Sequence, residues 1–201
     1  MIEDLIADND SYGADTVVIS SASSKTATMT AHRMRAREGL RVVGLTGAAN
    51  VDFARSLGIY SDVLSYGQAG EAQGEKAVFV DIACNAEALN AVHERFADNL
   101  MYSMSVGISS QTDAGFRAPK APDHGPHPQM FFAPAQIAKR TEDWGAAGLT
   151  ERLEAGWNEV LEFSDSWLEV EHAQGSDAIE AAWRSLLAGE VPANKGLILS
   201  P

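Results

Sequence analysis

The strongest constraint on this chain is a repeat of short, β-branched apolar runs set between longer helix-forming stretches. Residues 16–20 (TVVIS), 41–46 (RVVGLT), 62–65 (DVLS), 77–82 (AVFVDI) and 100–106 (LMYSMSV) read as strands. Most are apolar almost throughout rather than alternating, the pattern of parallel strands buried on both faces. Between them, residues 25–38, 51–57 and 86–97 have helical composition, and Gly39 and Gly58 stop the first two. Strands and helices in alternation, joined by short links, form βαβ units. The expected fold is therefore an α/β, doubly wound parallel sheet of about six strands with helices on both faces. Ile2, Leu5 and Ile6 add a short amphipathic helix over residues 2–10.

After residue 107 the rhythm changes. Five of the seven prolines fall between Pro119 and Pro134, which predicts a long loop over 111–128. A sixth strand is expected over 130–133, then a helix over 135–161 broken near Gly145 or Gly148. Residues 167–171, 177–187 and 196–200 read as the strand, helix and strand of a tail spanning 165–201. We read residues 1–201 as one domain.

Charge narrows the partners. Fifteen basic residues against 28 acidic ones give a formal net charge of −13, a field that opposes nucleic acid and anionic membrane surfaces. No apolar run approaches the ~20 residues of a membrane span. The acidic start, with Glu3, Asp4, Asp8 and Asp10, lacks the features of a signal peptide. One cysteine, Cys84, leaves no intrachain disulfide and fits a reducing compartment, so the cytoplasm is expected.

The chemistry is sought where the first strand runs into the first long helix, VVISSASSKTA. A dinucleotide fold places a glycine fingerprint here, so that the backbone can approach a diphosphate at a helix N-terminus. Ala22, Ser24 and Ala27 occupy the three glycine positions. They are small, but glycine's freedom at positive φ is absent. The hydroxyls of Ser21, Ser23, Ser24 and Thr26 and the ammonium of Lys25 are potential phosphate partners; a serine-rich helix cap reads equally well. A Walker-type loop is excluded, because Ile19 and Ser24 stand where its glycines belong. At the end of the second strand, Thr46 and Gly47 replace the acidic residue that holds the ribose of NAD, which leans toward NADP(H), with Lys25 or Arg55 as phosphate partners. That missing acid also weakens a methyltransferase-like reading. Asp81 fits a turn-stabilising or a ribose-binding role, and Cys84 a packed side chain or a thiol with no neighbouring cation. Asp123, His124 and His127 (DHGPH) are the only metal-like cluster, broken by Gly-Pro. His32, His93 and His172 read as surface residues. No tyrosine has a lysine four residues on.

The order of elements resembles the cofactor-binding half of the medium-chain dehydrogenase/reductase superfamily, in its zinc-independent, quinone-reductase-like branch. RVVGLTGAANVDFARSLGI is similar to that family's second strand and helix, VFVDIACNAEAL to its fourth strand and turn, and YSMSVGISS to its fifth. SDAIEAAWRSLLAGEVPANKGLIL resembles its closing segment. SSASSKTA, VGLTGAANVDFARSLG and MFFAPAQIAKR look closer still to an uncharacterised dehydrogenase-like subfamily. The resemblance implies a Rossmann fold binding NADP(H), with Ser21, Ala22, Ser23, Ser24, Lys25, Thr26, Thr46, Gly47 and Asn50 on one side. Ala83, Cys84, Asn85, Val106, Gly107 and Ile108 would flank the nicotinamide and its ribose. It further implies hydride transfer with an unknown small molecule and a homodimer joined at the sheet edge. The family's N-terminal catalytic domain is expected to be missing from this chain. The competing expectation is a non-catalytic nucleotide-binding or interaction module.

Overall fold

The computed structural model describes residues 1–107 and 122–201; residue 108 and most of the loop expected over 111–128 lie outside the described residues. The chain forms two compact units, Met1–Leu149 and Thr150–Pro201.

The first unit opens with α1 (Ile2–Asp8), followed by β1 (Thr16–Ile19), α2 (Lys25–Met34), β2 (Arg41–Thr46), α3 (Val51–Ser56) and β3 (Asp62–Ser65). It continues through β4 (Ala77–Asp81), α4 (Ala86–Phe96), β5 (Leu100–Ser105) and the two-residue β6 (Gln129–Met130). These strands make one parallel sheet in the order β3-β2-β1-β4-β5-β6, the doubly wound arrangement expected. All four residues of β1 and all five of β4 are buried, which is why their sequences are apolar without alternation. On one face Val18, Val43, Leu45 and Phe79 pack with Ala88, Leu89, Val92 and Phe96 of α4. Another cluster joins Ala22 to Ala54 and Val63, with Val51 and Tyr60 against them.

Several boundaries differ from the sequence reading for local reasons. The helix expected to reach residue 38 stops at Met34, because the chain turns there and Gly39 is left-handed (φ 77°). The sixth strand is 129–130 rather than 130–133: Ala133 and Pro134 already begin the long helix α5 (Ala133–Ser164), where proline is tolerated in the first turn. α5 is interrupted at Gly145 (φ 72°, ψ 164°), one of the two glycines expected to break it.

α1 is fastened by charge as well as by its buried Ile2 and Ile6. Arg140 of α5 lays its guanidinium among three carboxylates, donating through Nε to Asp4 (2.9 Å) and reaching Asp8 and Asp143 at 2.9 Å each. Gln136 donates to Asp4 (2.6 Å), and Lys139 bridges Asp8 and Asp143. Arg37 pairs with Glu3.

Two histidines read as surface groups are buried. His32 is 6% exposed and His93 is 1% exposed. His93 bridges three segments, with Nδ1 at 2.8 Å from the carbonyl of His124 and Nε2 at 2.9 Å from Ser103 Oγ. The first contact requires Nδ1 to donate, which leaves Nε2 to accept from the serine. Burial holds its pKa below the ordinary value, against the opposing pull of the His124 carbonyl and Asp81. A histidine depressed in the folded state stabilises the fold above its unfolded pKa and loses that contribution as pH falls below about 6.5. Thermal melts should therefore show a step of lost stability between pH 7 and 5, absent in His93→Gln.

In the second unit, β7 (Glu169–Gln174) and β8 (Lys195–Ser200) pair in parallel around α6 (Ser176–Ala188). The first of these strands begins two residues later than the sequence suggested and ends three later, since residues 165–168 complete the turn that ends α5.

Candidate functional site at the sheet's switch point

β1 and β4 lie side by side, but their crossovers leave in opposite directions, so their carboxyl ends mark the switch point of the sheet, where folds of this kind place a crevice. The turn from β1 to α2 forms one lip. Its left-handed residue is Ser21 (φ 55°), not any of the three positions where glycine would be expected. That conformation costs a non-glycine residue about 1–2 kcal/mol. Ala22 is fully buried, its amide donating to the Leu45 carbonyl (2.9 Å). Gly44 of β2 makes room for it, since a Cβ there would lie 2.8 Å from the Ala22 methyl. Small residues are thus needed at the turn, but the glycine sits in the strand beneath it.

Ser24 begins α2 as its N-cap, Oγ accepting from the Ala27 amide (3.2 Å). The N-terminal end of α2, with its partial positive charge, lies at this lip. Thr26 is exposed and Lys25 half-buried, with desolvation lowering the lysine pKa. Ser23 shares a hydrogen bond with Thr46 (3.1 Å), which brings the end of β2 to the turn. Gly47 and Asn50 follow along the same edge, half-buried.

The opposite lip is the turn after β4. Ser20, fully buried, joins the two lips: its hydroxyl donates to Asp81 Oδ1 (2.7 Å) and accepts from the amides of Ile82 (2.8 Å) and Ala83 (2.9 Å). The Cys84 amide also donates to Asp81 (3.0 Å), and Cys84 is left-handed (φ 54°). Desolvation raises the Asp81 pKa, against its hydrogen bonds from Ser20, Cys84 and Ala83. Burial and then Asp81 push the Cys84 thiol up, which opposes a thiolate role. Asn85 caps α4 by accepting from the Ala88 amide (2.9 Å). The Val106 amide donates to the Asp81 carbonyl (2.8 Å), placing Val106 and Gly107 beyond the neighbouring strand.

The sequence-derived residues 21–26, Thr46, Ala83 and Cys84 thus lie at the carboxyl ends of β1, β2 and β4, around the switch point. Arg55 does not join them: its guanidinium donates to the Val63 carbonyl (3.0 Å) and faces Asp52 (3.9 Å), which ties it to β3. Gly44, Tyr60 and Tyr66 were not singled out for the site. Tyr66 follows β3, and its phenol, raised in pKa by burial, takes hydrogen bonds from Ser21. Ser20 had a signal in the sequence, a polar residue closing an otherwise apolar buried strand. Among the described residues no cluster of three metal-ligand side chains occurs and no helix is long and apolar enough to cross a membrane.

This architecture is a Rossmann-type α/β fold. The chain belongs to the family described as "Protein of unknown function (DUF2855)", which matches residues 1–192. No curated protein matches it by sequence. Solved structures share its fold. YhdH of Escherichia coli K-12 with bound NADPH is 16% identical, with a TM-score of 0.55 over 97% of this chain and 59% of its own. CurA of Vibrio vulnificus in complex with NADPH is 16% identical, with a TM-score of 0.59 over 92% and 56%. The Bacillus subtilis protein YhfP with NAD bound is 13% identical, with a TM-score of 0.56 over 98% and 59%. This chain therefore spans less than two thirds of each.

Proposed function

We propose that this chain is the cofactor-binding part of an NADP(H)-dependent oxidoreductase acting on a small molecule. The observation that carries the reading is the N-terminus of α2, set at the switch point of the sheet behind a turn of small residues. Ala22 is folded inward and Thr26 is exposed, which favours backbone approach by a diphosphate rather than a turn filled by bulky side chains. The structures of similar fold with NADPH or NAD bound support the same reading.

In this reading a bound nicotinamide supplies hydride chemistry, while the chain binds and orients the cofactor. The helix amides and Lys25 hold phosphate charge. Ala83, Cys84, Asn85, Val106 and Gly107 border the nicotinamide end. The choice between cofactors rests on the end of β2, where Thr46 and Gly47 put no carboxylate against a 2′-phosphate. The exposed edge strand β6, with Met130 84% exposed, favours pairing with a second copy. The cytoplasm is its compartment in this reading.

Titration calorimetry tests this. NADPH should bind at least about tenfold more tightly than NADH, the equivalent of one good charge-assisted contact. Absence of NADPH binding, or a preference for NADH, overturns the assignment.

A further inference from the structure

We propose that Tyr60 is a positioning residue for the diphosphate-binding turn, holding through a hydrogen bond a turn geometry that glycines would otherwise permit. The inference rests on the dinucleotide reading above. Tyr60 lies between α3 and β3, yet its hydroxyl reaches the turn after β1 and donates to the Ala22 carbonyl at 2.8 Å. The Thr28 hydroxyl approaches the same oxygen at 3.4 Å. Both donors sit on the inner side of the turn, with Tyr60 packed beside the buried cluster of Ala22, Ala54 and Val63.

The consequence follows from peptide geometry. A trans peptide is planar, with its C=O and N–H directed oppositely. Holding the Ala22 carbonyl inward therefore turns the Ser23 N–H outward. The Ala22 amide is itself committed to Leu45, so this residue is anchored at both ends. Ser21, left-handed without being glycine, has other accessible conformations that this anchor removes. Gly44 completes the arrangement. A Cβ at that position would lie 2.8 Å from Ala22 Cβ and 3.0 Å from Tyr60 Cδ1, so the strand leaves space for both partners of the anchor.

The test is Tyr60→Phe in the full chain, which keeps the ring and removes the donor. Calorimetry with NADPH and with 2′-AMP separates positioning from a general structural effect, because only NADPH carries the diphosphate. The expected result is a Kd for NADPH raised about tenfold, the usual worth of one well-placed hydrogen bond, with the Kd for 2′-AMP unchanged. An unchanged NADPH affinity overturns the positioning role and leaves the dinucleotide reading standing. Equal weakening of both ligands also overturns it, since the phenol is then merely structural. If the unaltered protein binds neither ligand, the dinucleotide reading falls and this inference with it.

Discussion

Ser20→Ala should lower stability by about 3–4 kcal/mol, although it removes a single oxygen atom. That oxygen donates one buried hydrogen bond and accepts two. Its loss strands the amide of Ile82, leaves the Ala83 amide with Asp81 alone, and takes from Asp81 one of its donors. Each buried polar group left unsatisfied costs about 1–3 kcal/mol, and the methyl of alanine offers none of them a partner. At roughly 2–4 °C per kcal/mol for a chain of this size, the melting temperature should fall by about 10 °C. The pH dependence distinguishes this cause from a simple cavity. Asp81 already has a raised folded pKa, so its neutral form is favoured by folding. A carboxyl of that kind stabilises the fold fully below its unfolded pKa and loses the contribution as pH rises through the folded value. Removing the serine donor raises the folded value further, so the deficit of the variant should grow from pH 4 to pH 8. Adding Asp81→Asn should recover part of the loss at high pH, measured as a double-mutant cycle. A deficit of under 1 kcal/mol with no pH trend would show that the two lips of the crevice are not joined through this hydroxyl.

Arg140→Met should cost about 2–3 kcal/mol by a different route. The arginine side chain is only 9% exposed, and its fork touches Asp4, Asp8 and Asp143. Methionine fills similar space beside Trp144, over whose ring the guanidinium lies at 4.5 Å, but leaves the carboxylates facing one another. Removing one member of a largely buried ion cluster is destabilising chiefly because the remaining charges lose their partner. The partial exposure of the aspartates lowers the expected figure below that of a fully buried pair. Arg140→Lys should recover only part, since a single ammonium cannot reproduce a planar fork to several carboxylates. Chemical denaturation at two salt concentrations checks the origin: the deficit of Arg140→Met should shrink in high salt, which screens the exposed side of the carboxylate cluster. A salt-independent loss would point to packing alone.

Much of the framework around the candidate site was legible in the chain. The runs 16–20 and 77–82 show strands because burial on both faces demands continuous apolar residues. The small, hydroxyl-rich segment after the first of them marks a turn into a helix. What was not legible is which of its atoms are already committed. Ser20 and Ser21 are adjacent serines, yet one is sealed between two strands and the other is left-handed at the crevice lip. His93 fits a helix surface by composition, but β5 and the segment at His124 meet there in three dimensions. Arg55 looked available to a phosphate because a sequence does not show the carbonyl of Val63 beside it. Arg140 and Asp4 are 136 positions apart, and no local pattern announces their pairing.

By itself the amino-acid order determined the succession of strands and helices, the absence of a carboxylate after the second strand, and the small size of the turn residues. These are local properties, set by side-chain volume, branching and polarity. The tertiary structure alone decided how a turn without glycine is accommodated. Gly44 from the next strand and the Tyr60 hydroxyl from beyond α3 converge on Ala22, and steric room and hydrogen-bond direction at one point in space are conditions that residues far apart in the chain meet only after folding.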